Sequence, residues 1–306
     1  MLDRKIRPML AYAVTEPFDS KDHLFEIKWD GTRCILFLQK GKVRLQNRRL
    51  LDITYRYPEL QGGLPDCIAA QEAILDGELV VLRDGRPDFS ALQQREHVSE
   101  AFKAHLLSRQ LPATYIAFDL IYLEGEDHTR TSLIERKGLL KEVLRESEVL
   151  IESRFVMEKG REFFERVVAE GFEGVMAKEL RSPYLIGKRS RYWLKIKPRG
   201  RAICYIIGYT LGEGRRQRTF GALLLASREG GRWIFRGRVG SGFSEEELHR
   251  ILELLSPIER ERPAFEGIPP LKKARWVEPR YRCEILYQEL TEDGRFRAPV
   301  FLRLVT

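Results

Sequence analysis

The segment at residues 26–33 has residue types that could do chemistry, because Lys28 is followed at fixed spacing by Asp30, Gly31 and Arg33. A lysine amine becomes nucleophilic when burial or neighbouring cations lower its pKa, and it can then attack the α-phosphorus of a nucleotide. Asp30 could orient the amine or a metal ion. Gly31 would let the backbone approach a nucleotide closely, and Arg33 would donate to a sugar or phosphate. The alternative interpretation is a solvated turn at the end of a strand.

Further motifs follow Lys28 in a fixed order. They are Asn47-Arg48-Arg49, Asp76-Gly77-Glu78, an apolar run at 115–120 that contains Phe118, Glu-Gly-Val-Met-Ala-Lys at 173–178, and Trp-Leu-Lys-Ile-Lys-Pro at 193–198. This ordered series resembles the covalent nucleotidyltransferase superfamily, and within it the ATP-dependent DNA ligases. The stretches between 207 and 279 are similar to the small ligases of prokaryotic end-joining systems. The resemblance covers essentially the whole chain.

The resemblance implies a role for each of these residues. Lys28 would be the nucleophile that carries AMP, and Asp30, Lys195 and Lys197 would be the other catalytic residues. The residues that bind ATP would be Glu26, Arg33, Arg48, Glu78, Phe118, Met176, Arg189, Lys195 and Arg297. A divalent ion, Mg²⁺ or Mn²⁺, would be held by Glu173 and Glu78.

The chemistry of several of these side chains suits the implied roles. The carboxylate of Glu26 can accept from the amino group of adenine but is mismatched to the carbonyl of guanine, which favours ATP over GTP. Phe118 would stack on the base, with a core position as the alternative. Met176 would cover the other face of the base or, equally, be a core residue. Lys195 and Lys197 alternate along a strand and so share a face, where two ammonium groups would stabilise charge on the α-phosphate.

Two arginine motifs differ in part from the family pattern. Arg48 is followed by Arg49 and Leu50, where family members often have Asn-Gly, but the implied role of Arg48 at the 5′-phosphate of a nick is kept. Arg297 and Arg303 fit the start of the last ligase motif, whereas Val305 stands where another basic residue is common.

The charge pattern predicts a polyanionic partner. The formal net charge is +8, and residues 188–218 contain ten Lys or Arg but a single acid, Glu213. Neutralising phosphates with such residues releases counterions, so we expect binding to nicked duplex DNA; the alternative is a solvated basic surface. The four cysteines form no Cys-x-x-Cys pair, which argues against a structural zinc site and against a disulfide framework. No apolar run approaches the ~20 residues of a membrane span, and we expect a cytoplasmic, nucleoid-associated prokaryotic protein.

Apolar runs and turns place these motifs on an α+β framework. We predict strands at 24–28, 33–38, 43–46, 73–82 and 113–123, and helices at 88–109, 131–147 and 160–170. After Pro198-Arg199-Gly200, we predict strands at 203–209, 222–227, 232–239 and 282–290 and one helix at 244–255. The expected fold is a nucleotidyltransferase (adenylation) domain of antiparallel sheets and helices at 1–198, followed by an OB-fold β-barrel at 199–306.

The expected activity is ATP-dependent sealing of nicks in duplex DNA by a monomer, with Pro198-Arg199-Gly200 as a hinge between the domains. By resemblance, a Ku-like end-binding protein and a repair polymerase are plausible partners. The nearest alternative is an RNA ligase or an mRNA-capping guanylyltransferase. An alternative from a different class is a non-catalytic nucleic-acid-binding protein with vestigial motifs.

Overall fold

The computed structural model describes residues 1–291 and 293–305, and the chain divides into two compact units, Met1–Lys197 and Pro198–Thr306. Within the described residues, none of the helices has the length and apolar character that crossing a membrane requires.

The first unit contains two sheets and five helices. Its strands are β1 (Leu10–Val14), β2 (Ser20–Ile27), β3 (Thr32–Gln39), β4 (Lys42–Asn47), β5 (Glu72–Arg83), β6 (Arg86–Pro87), β7 (Ala113–Leu123), β8 (Glu126–Asp127), β9 (Leu150–Glu152), β10 (Phe155–Glu158), β11 (Val175–Glu179) and β12 (Arg189–Ile196). Its helices are α1 (Pro58–Cys67), α2 (Phe89–Glu96), α3 (Ala101–Gln110), α4 (Leu133–Val143) and α5 (Gly160–Ala169).

Most neighbouring strands of these sheets are antiparallel. One sheet has the order β1-β12-β11-β2-β10, and the other has the order β4-β3-β5-β7-β8, with β6 paired to β5 and β9 paired to β7. The pairs β1/β12 and β7/β9 are parallel. Antiparallel sheets with separate helices confirm the predicted α+β class.

Alternating side chains on the central strands build two cores. In β3, Cys34 and Leu36 pack with α1 and its neighbours, whereas Ile35 and Phe37 pack with residues of the other sheet, including Trp193. Successive side chains of a strand point to opposite faces, so a strand buried on both sides reads as a continuous apolar run. The two sheets therefore face each other across the second of these cores.

In its described residues, the second unit contains a seven-stranded sheet and one α-helix. Its elements are β13 (Gly200–Leu211), β14 (Phe220–Glu229), β15 (Arg232–Val239), α6 (Glu245–Leu255), β16 (Glu259–Arg260), β17 (Ala274–Val277), β18 (Arg282–Tyr287) and β19 (Val300–Val305). The long strand β13 pairs with β14, β17 and β18, and the apolar face of α6 packs into the same core. This arrangement agrees with the predicted small barrel of the oligonucleotide-binding type.

Two helices begin at capping boxes, close to the starts that the sequence predicted. Ser132 and Glu135 form a capping box at the start of α4, and Ser244 and Glu247 form another at the start of α6. The predicted bounds at 131–147 are nonetheless too long, because α4 ends at Val143.

One helix was predicted wrongly, and another was not predicted. The single helix predicted at 88–109 is two helices, α2 and α3, because the buried Arg95 at the end of α2 donates to the carbonyls of Leu107 and Leu111, which requires α3 to fold back. Helix α1 was missed, since it contains two glycines and an internal proline, Pro65. Burial of its apolar side chains in the core outweighs that poor local propensity.

Candidate active site

An open cavity lies between the facing surfaces of the two sheets in the first unit. The predicted site residues that line it are Glu26, Lys28, Arg33, Arg48, Glu78, Phe118, Met176, Arg189 and Lys195. Residues from seven separate stretches of the chain therefore meet at one place.

Strand alternation explains which side chains reach the cavity. In the first sheet, Glu26, Met176 and Lys195 line the cavity, whereas their neighbours Phe25 and Val175 pack in the core on the other side of that sheet. Because the side-chain period of a strand is two, Lys28, directly after β2, follows the direction of Glu26.

Lys28 is fixed by one backbone contact and one side-chain contact. Its backbone N–H donates to the carbonyl of Gly174 at 2.8 Å, which fixes it against the start of β11. Its ammonium group donates to one carboxylate oxygen of Glu173, and the other oxygen of that carboxylate forms an ion pair with Lys197. Glu173 thus joins the two lysines.

Two glycines allow this close assembly. Gly174 has a φ of +143°, and a side chain there would place its Cβ 2.2 Å from the carbonyl oxygen of Ile196. A Cβ on Gly31 would lie 2.2 Å from the carbonyl oxygen of Leu79. Both positions exclude any larger residue, because a backbone atom occupies the space that the side chain needs.

Two positively charged side chains lie beside the aromatic rings of the cavity. Phe118 and Trp193 meet edge to face with ring centroids 6.2 Å apart. The guanidinium carbon of Arg33 lies 4.4 Å from the Phe118 centroid, and the ammonium of Lys178 lies 4.2 Å from it. Phe118 is 6% exposed and Met176 packs against the same core, so both residues belong to the core and to the cavity lining.

Arg33 is fixed by a buried carboxylate. Its Nε and Nη2 donate to the two oxygens of Asp76 at 2.5 Å, and the hydroxyl of Tyr184 donates to Asp76 at 2.6 Å. Although burial opposes its charge, Asp76 holds the pKa of Arg33 above its ordinary value. A guanidinium held in this way is a rigid donor at the cavity wall.

Glu78 is a carboxylate of the cavity wall with a raised pKa. Burial raises its pKa to about 7, with Arg33 and Lys28 opposing that shift and Glu173 adding to it. The carboxyl is therefore partly protonated at neutral pH.

Two lysines of the cavity have lowered pKa values. Burial lowers the pKa of Lys195, and the neighbouring charges of Lys28, Lys197 and Arg189 lower it further. Burial lowers the pKa of Lys178 to about 8, although the carboxylate of Glu26 acts in the opposite direction. The cavity thus concentrates positive charge, which suits a polyphosphate ligand.

Four predicted residues lie elsewhere. Glu173 and Lys197 stand beside the cavity through their contacts with each other and with Lys28. Asp30 is exposed and is not part of the cavity lining. Arg297 belongs to the second unit, where its guanidinium pairs with Glu289.

The carboxylates of the site could hold a divalent ion if phosphates of a substrate supplied some of its other ligands. Across residues 1–291 and 293–305, no group of three or more His, Cys, Asp or Glu side chains could hold a metal ion. Mg²⁺ is commonly bound by one or two carboxylates, with phosphates and waters as its other ligands. Glu78 and Glu173, close enough for their charges to interact, fit that pattern.

Several cavity residues were not predicted. Lys178 and Trp193 line the cavity, and strand alternation could have found them, since each is two residues from a predicted site residue, Met176 and Lys195. Asp76, which accepts from Arg33, and Tyr184, which donates to Asp76, were not predicted to make these contacts.

Comparisons with known proteins agree with this geometry. The ATP dependent DNA ligase domain family matches residues 8–197, and the ATP dependent DNA ligase C terminal region matches residues 216–305. These matches bear out the resemblance to ATP-dependent DNA ligases seen in the sequence.

Individual relatives cover nearly all of the chain. The multifunctional non-homologous end joining protein LigD of Pseudomonas aeruginosa is 37% identical over 305 residues, which are 97% of this chain and 35% of that protein. The DNA ligase of Thermococcus fumicolans is 32% identical over 313 residues, which are 98% of this chain and 54% of that protein. The chain therefore spans between about a third and about half of the length of these relatives.

A solved structure is similar over its whole length. The structure of mycobacterial DNA ligase D complexed with ATP and MES matches 98% of this chain and 95% of that chain, with 31% identity and a TM-score of 0.57.

Proposed function

Because the chain belongs to the ATP-dependent DNA ligase family, we propose that it seals nicks in duplex DNA through an AMP group carried on Lys28. The observation that carries this proposal is the place of Lys28 in a cavity that also presents Arg33, Arg189 and Lys195. A nucleophilic amine beside three cations is suited to attack on a nucleotide triphosphate, whose charge those cations bind.

In the first step, Nζ of Lys28 attacks the α-phosphorus of ATP. A nitrogen–phosphorus bond forms, the bond to the bridging oxygen of the β-phosphate breaks, and pyrophosphate leaves. The ammonium must lose one proton before it attacks, and the carboxylate of Glu173, already in contact with it, is placed to accept that proton. A second proton leaves the nitrogen for solvent once the nitrogen–phosphorus bond has formed. Lys195 and Arg189 stabilise the charge that develops on the phosphate oxygens.

A divalent ion fits this step. Glu173 and Glu78 would hold Mg²⁺ or Mn²⁺ together with the phosphates, and the bound ion would neutralise part of their charge.

The walls of the cavity suit a purine base. Phe118 comes from β7 of one sheet and Met176 from β11 of the other, so they approach a bound base from opposite sides. The flat ring and the polarizable thioether both gain from contact with an aromatic base.

In the later steps, AMP passes to the 5′-phosphate at a nick, and the adjacent 3′-hydroxyl displaces AMP to form the phosphodiester bond. Arg48, at the cavity edge, is the residue that we assign to the 5′-phosphate. The basic run at 188–218 supports binding of the DNA backbone.

The name of the Pseudomonas relative supports a role in end joining. We therefore include a Ku-like end-binding protein and a repair polymerase as partners, and the prokaryotic nucleoid as the place of action. Co-purification of the chain with a Ku-like protein, compared with a DNase-treated sample, tests the first of these partners.

The test of the activity is intact-mass spectrometry after incubation with ATP or GTP, followed by the addition of nicked duplex DNA or nicked RNA. An AMP adduct that is lost when nicked DNA is sealed is the expected result. A GMP adduct would indicate a capping-type enzyme, sealing of RNA alone would indicate an RNA ligase, and no adduct with either nucleotide would indicate a binding protein.

A further inference from the structure

We infer that Lys137, a buried residue of α4 outside the cavity lining, selects ATP by holding the carboxylate of Glu26 in place. This inference rests on the proposed function, because it concerns how the same site recognises its nucleotide. Lys137 would be a positioning residue that acts through Glu26 and does not touch the substrate.

Glu26 is held between two lysines. Its Oε1 lies 2.6 Å from Nζ of Lys137, and its Oε2 accepts from Nζ of Lys178 at 2.9 Å. The side chains of all three residues are at most 2% exposed. Breaking such a buried arrangement by removing one partner leaves an uncompensated charge.

Lys137 is itself fixed in place. Its ammonium donates to the carbonyl of Ser153 at 3.2 Å and lies 5.6 Å from the ring centroid of Phe155. Its helix starts at the capping box of Ser132 and Glu135. The position of the charge is therefore set by the fold before any nucleotide binds.

Two lysine ammonium groups lie within 3 Å of the Glu26 carboxylate, whose oxygens are hydrogen-bond acceptors. Lys178 also lines the cavity, whereas Lys137 does not. The second cation thus supplies charge without occupying space that the base needs.

Glu26 can also accept from a ligand. It lines the cavity, so an N–H donor of a bound base can reach its carboxylate. Oε1, which is fully buried, is the oxygen that lies against Lys137. The exocyclic amine of adenine is such a donor, whereas guanine presents a carbonyl oxygen, which has no hydrogen to donate.

The test compares the rate of AMP-type adduct formation from ATP with that from purine riboside 5′-triphosphate, which lacks the exocyclic amine. We expect the wild-type protein to prefer ATP by roughly 10- to 100-fold, as expected for a site built around one hydrogen bond. Lys137→Met should bring this ratio close to one, and Lys137→Arg should restore most of it. The ratio is insensitive to a loss of folded protein, because both substrates meet the same population.

Two further variants complete the design. Lys141→Met, on an exposed part of the same helix, is the matched control and should keep the wild-type ratio. The double variant Glu26→Gln/Lys137→Met removes the buried charge together with its partner and serves if Lys137→Met does not fold. Its ratio should equal that of Glu26→Gln alone, since Lys137 acts only through Glu26.

An unchanged ratio in Lys137→Met, or a difference between the double variant and Glu26→Gln, would overturn the inference. If the wild-type protein forms an adduct but does not discriminate between the two nucleotides, the inference alone fails. If the wild-type protein forms no adduct with any nucleotide, both the proposed function and the inference that rests on it are wrong.

Discussion

The ammonium group of Lys28 and the carboxylate of Glu173 are in direct contact, although 145 residues separate them in the chain. Pairing between β2 and β11 brings them together, and Lys197 contacts the same carboxylate from the end of β12. Glu173 therefore neutralises part of a cluster that would otherwise contain only cations.

The first prediction concerns the nucleophile. Lys28→Ala should abolish the AMP adduct, because removing the amine removes the atom that forms the bond to phosphorus. Intact-mass spectrometry after incubation with ATP measures this, with Lys21→Ala, an exposed lysine on β2, the strand that Lys28 follows, as the matched control. An adduct that persists in Lys28→Ala and maps to a different residue would overturn the assignment.

The second prediction separates the two roles of Phe118. Phe118→Leu keeps an apolar side chain in the core but removes the ring that stacks on the base. We expect ATP binding to weaken by about 1–2 kcal/mol, which is roughly 5- to 30-fold in KM. The free energy of unfolding should fall by less than about 1.5 kcal/mol.

Phe37→Leu is the matched control for this prediction, because Phe37 belongs to the same core but does not line the cavity. It should change stability to a similar extent without changing KM. An unaltered KM in Phe118→Leu would mean that Phe118 is a core residue only.

The sequence predicted residues of the cavity wall that belong to regularly alternating strands. Lys28, Met176 and Lys195 lie on such strands or directly after them, so their common direction follows from the side-chain period of two. The ordered motifs then supplied the association of distant strands, which alternation alone does not provide.

The parts that the sequence did not predict are those that depend on tertiary contacts. The contact between Lys137 and Glu26 requires α4 to pack beside β2. No residue near Lys137 in the chain indicates that Glu26 is its partner. Helix α1 likewise forms against its local propensity, because Leu60 and Leu64 are fully buried in the core. Long-range packing decided both outcomes.

The third prediction uses the pH dependence of stability. The pKa of Glu78 is raised by burial from 4.5 to about 7, so between these values the folded state retains a proton that the unfolded state has lost. Stability therefore falls as pH rises through this window, because the folded state binds more protons there. Glu78→Gln should remove that loss and stabilise the protein at pH 8 by roughly 1–3 kcal/mol.

The measurement is the free energy of urea unfolding at pH 4.5 and at pH 8 for the wild-type protein, Glu78→Gln and the exposed control Glu16→Gln. Glu78→Gln should differ from the wild type more at pH 8 than at pH 4.5, whereas the control should show no such difference. A stability gain that is the same at both pH values would mean that the carboxyl does not titrate in this window.

The fourth prediction concerns Arg297. By its resemblance to the last ligase motif, Arg297 would orient the pyrophosphate leaving group, which is present only in the first step. Arg297→Ala should therefore slow adenylylation of the enzyme by about 100-fold, the effect of removing one donor that stabilises developing charge. Sealing of a nick that already carries AMP should be largely unaffected, because no pyrophosphate leaves in that step.

Arg297 forms an ion pair with Glu289, and Arg297→Ala removes it. Both side chains are exposed, so the ion pair contributes little to stability, and losing it should not unfold the second unit. The two rates to measure are single-turnover adenylylation and sealing of pre-adenylylated nicked DNA, with Arg232→Ala as an exposed control in the same unit. Equal losses in both rates would mean that Arg297 supports the barrel or contacts DNA throughout the reaction. No loss in either rate would mean that this motif has no part in the first step, since a residue that binds the leaving group must affect its departure.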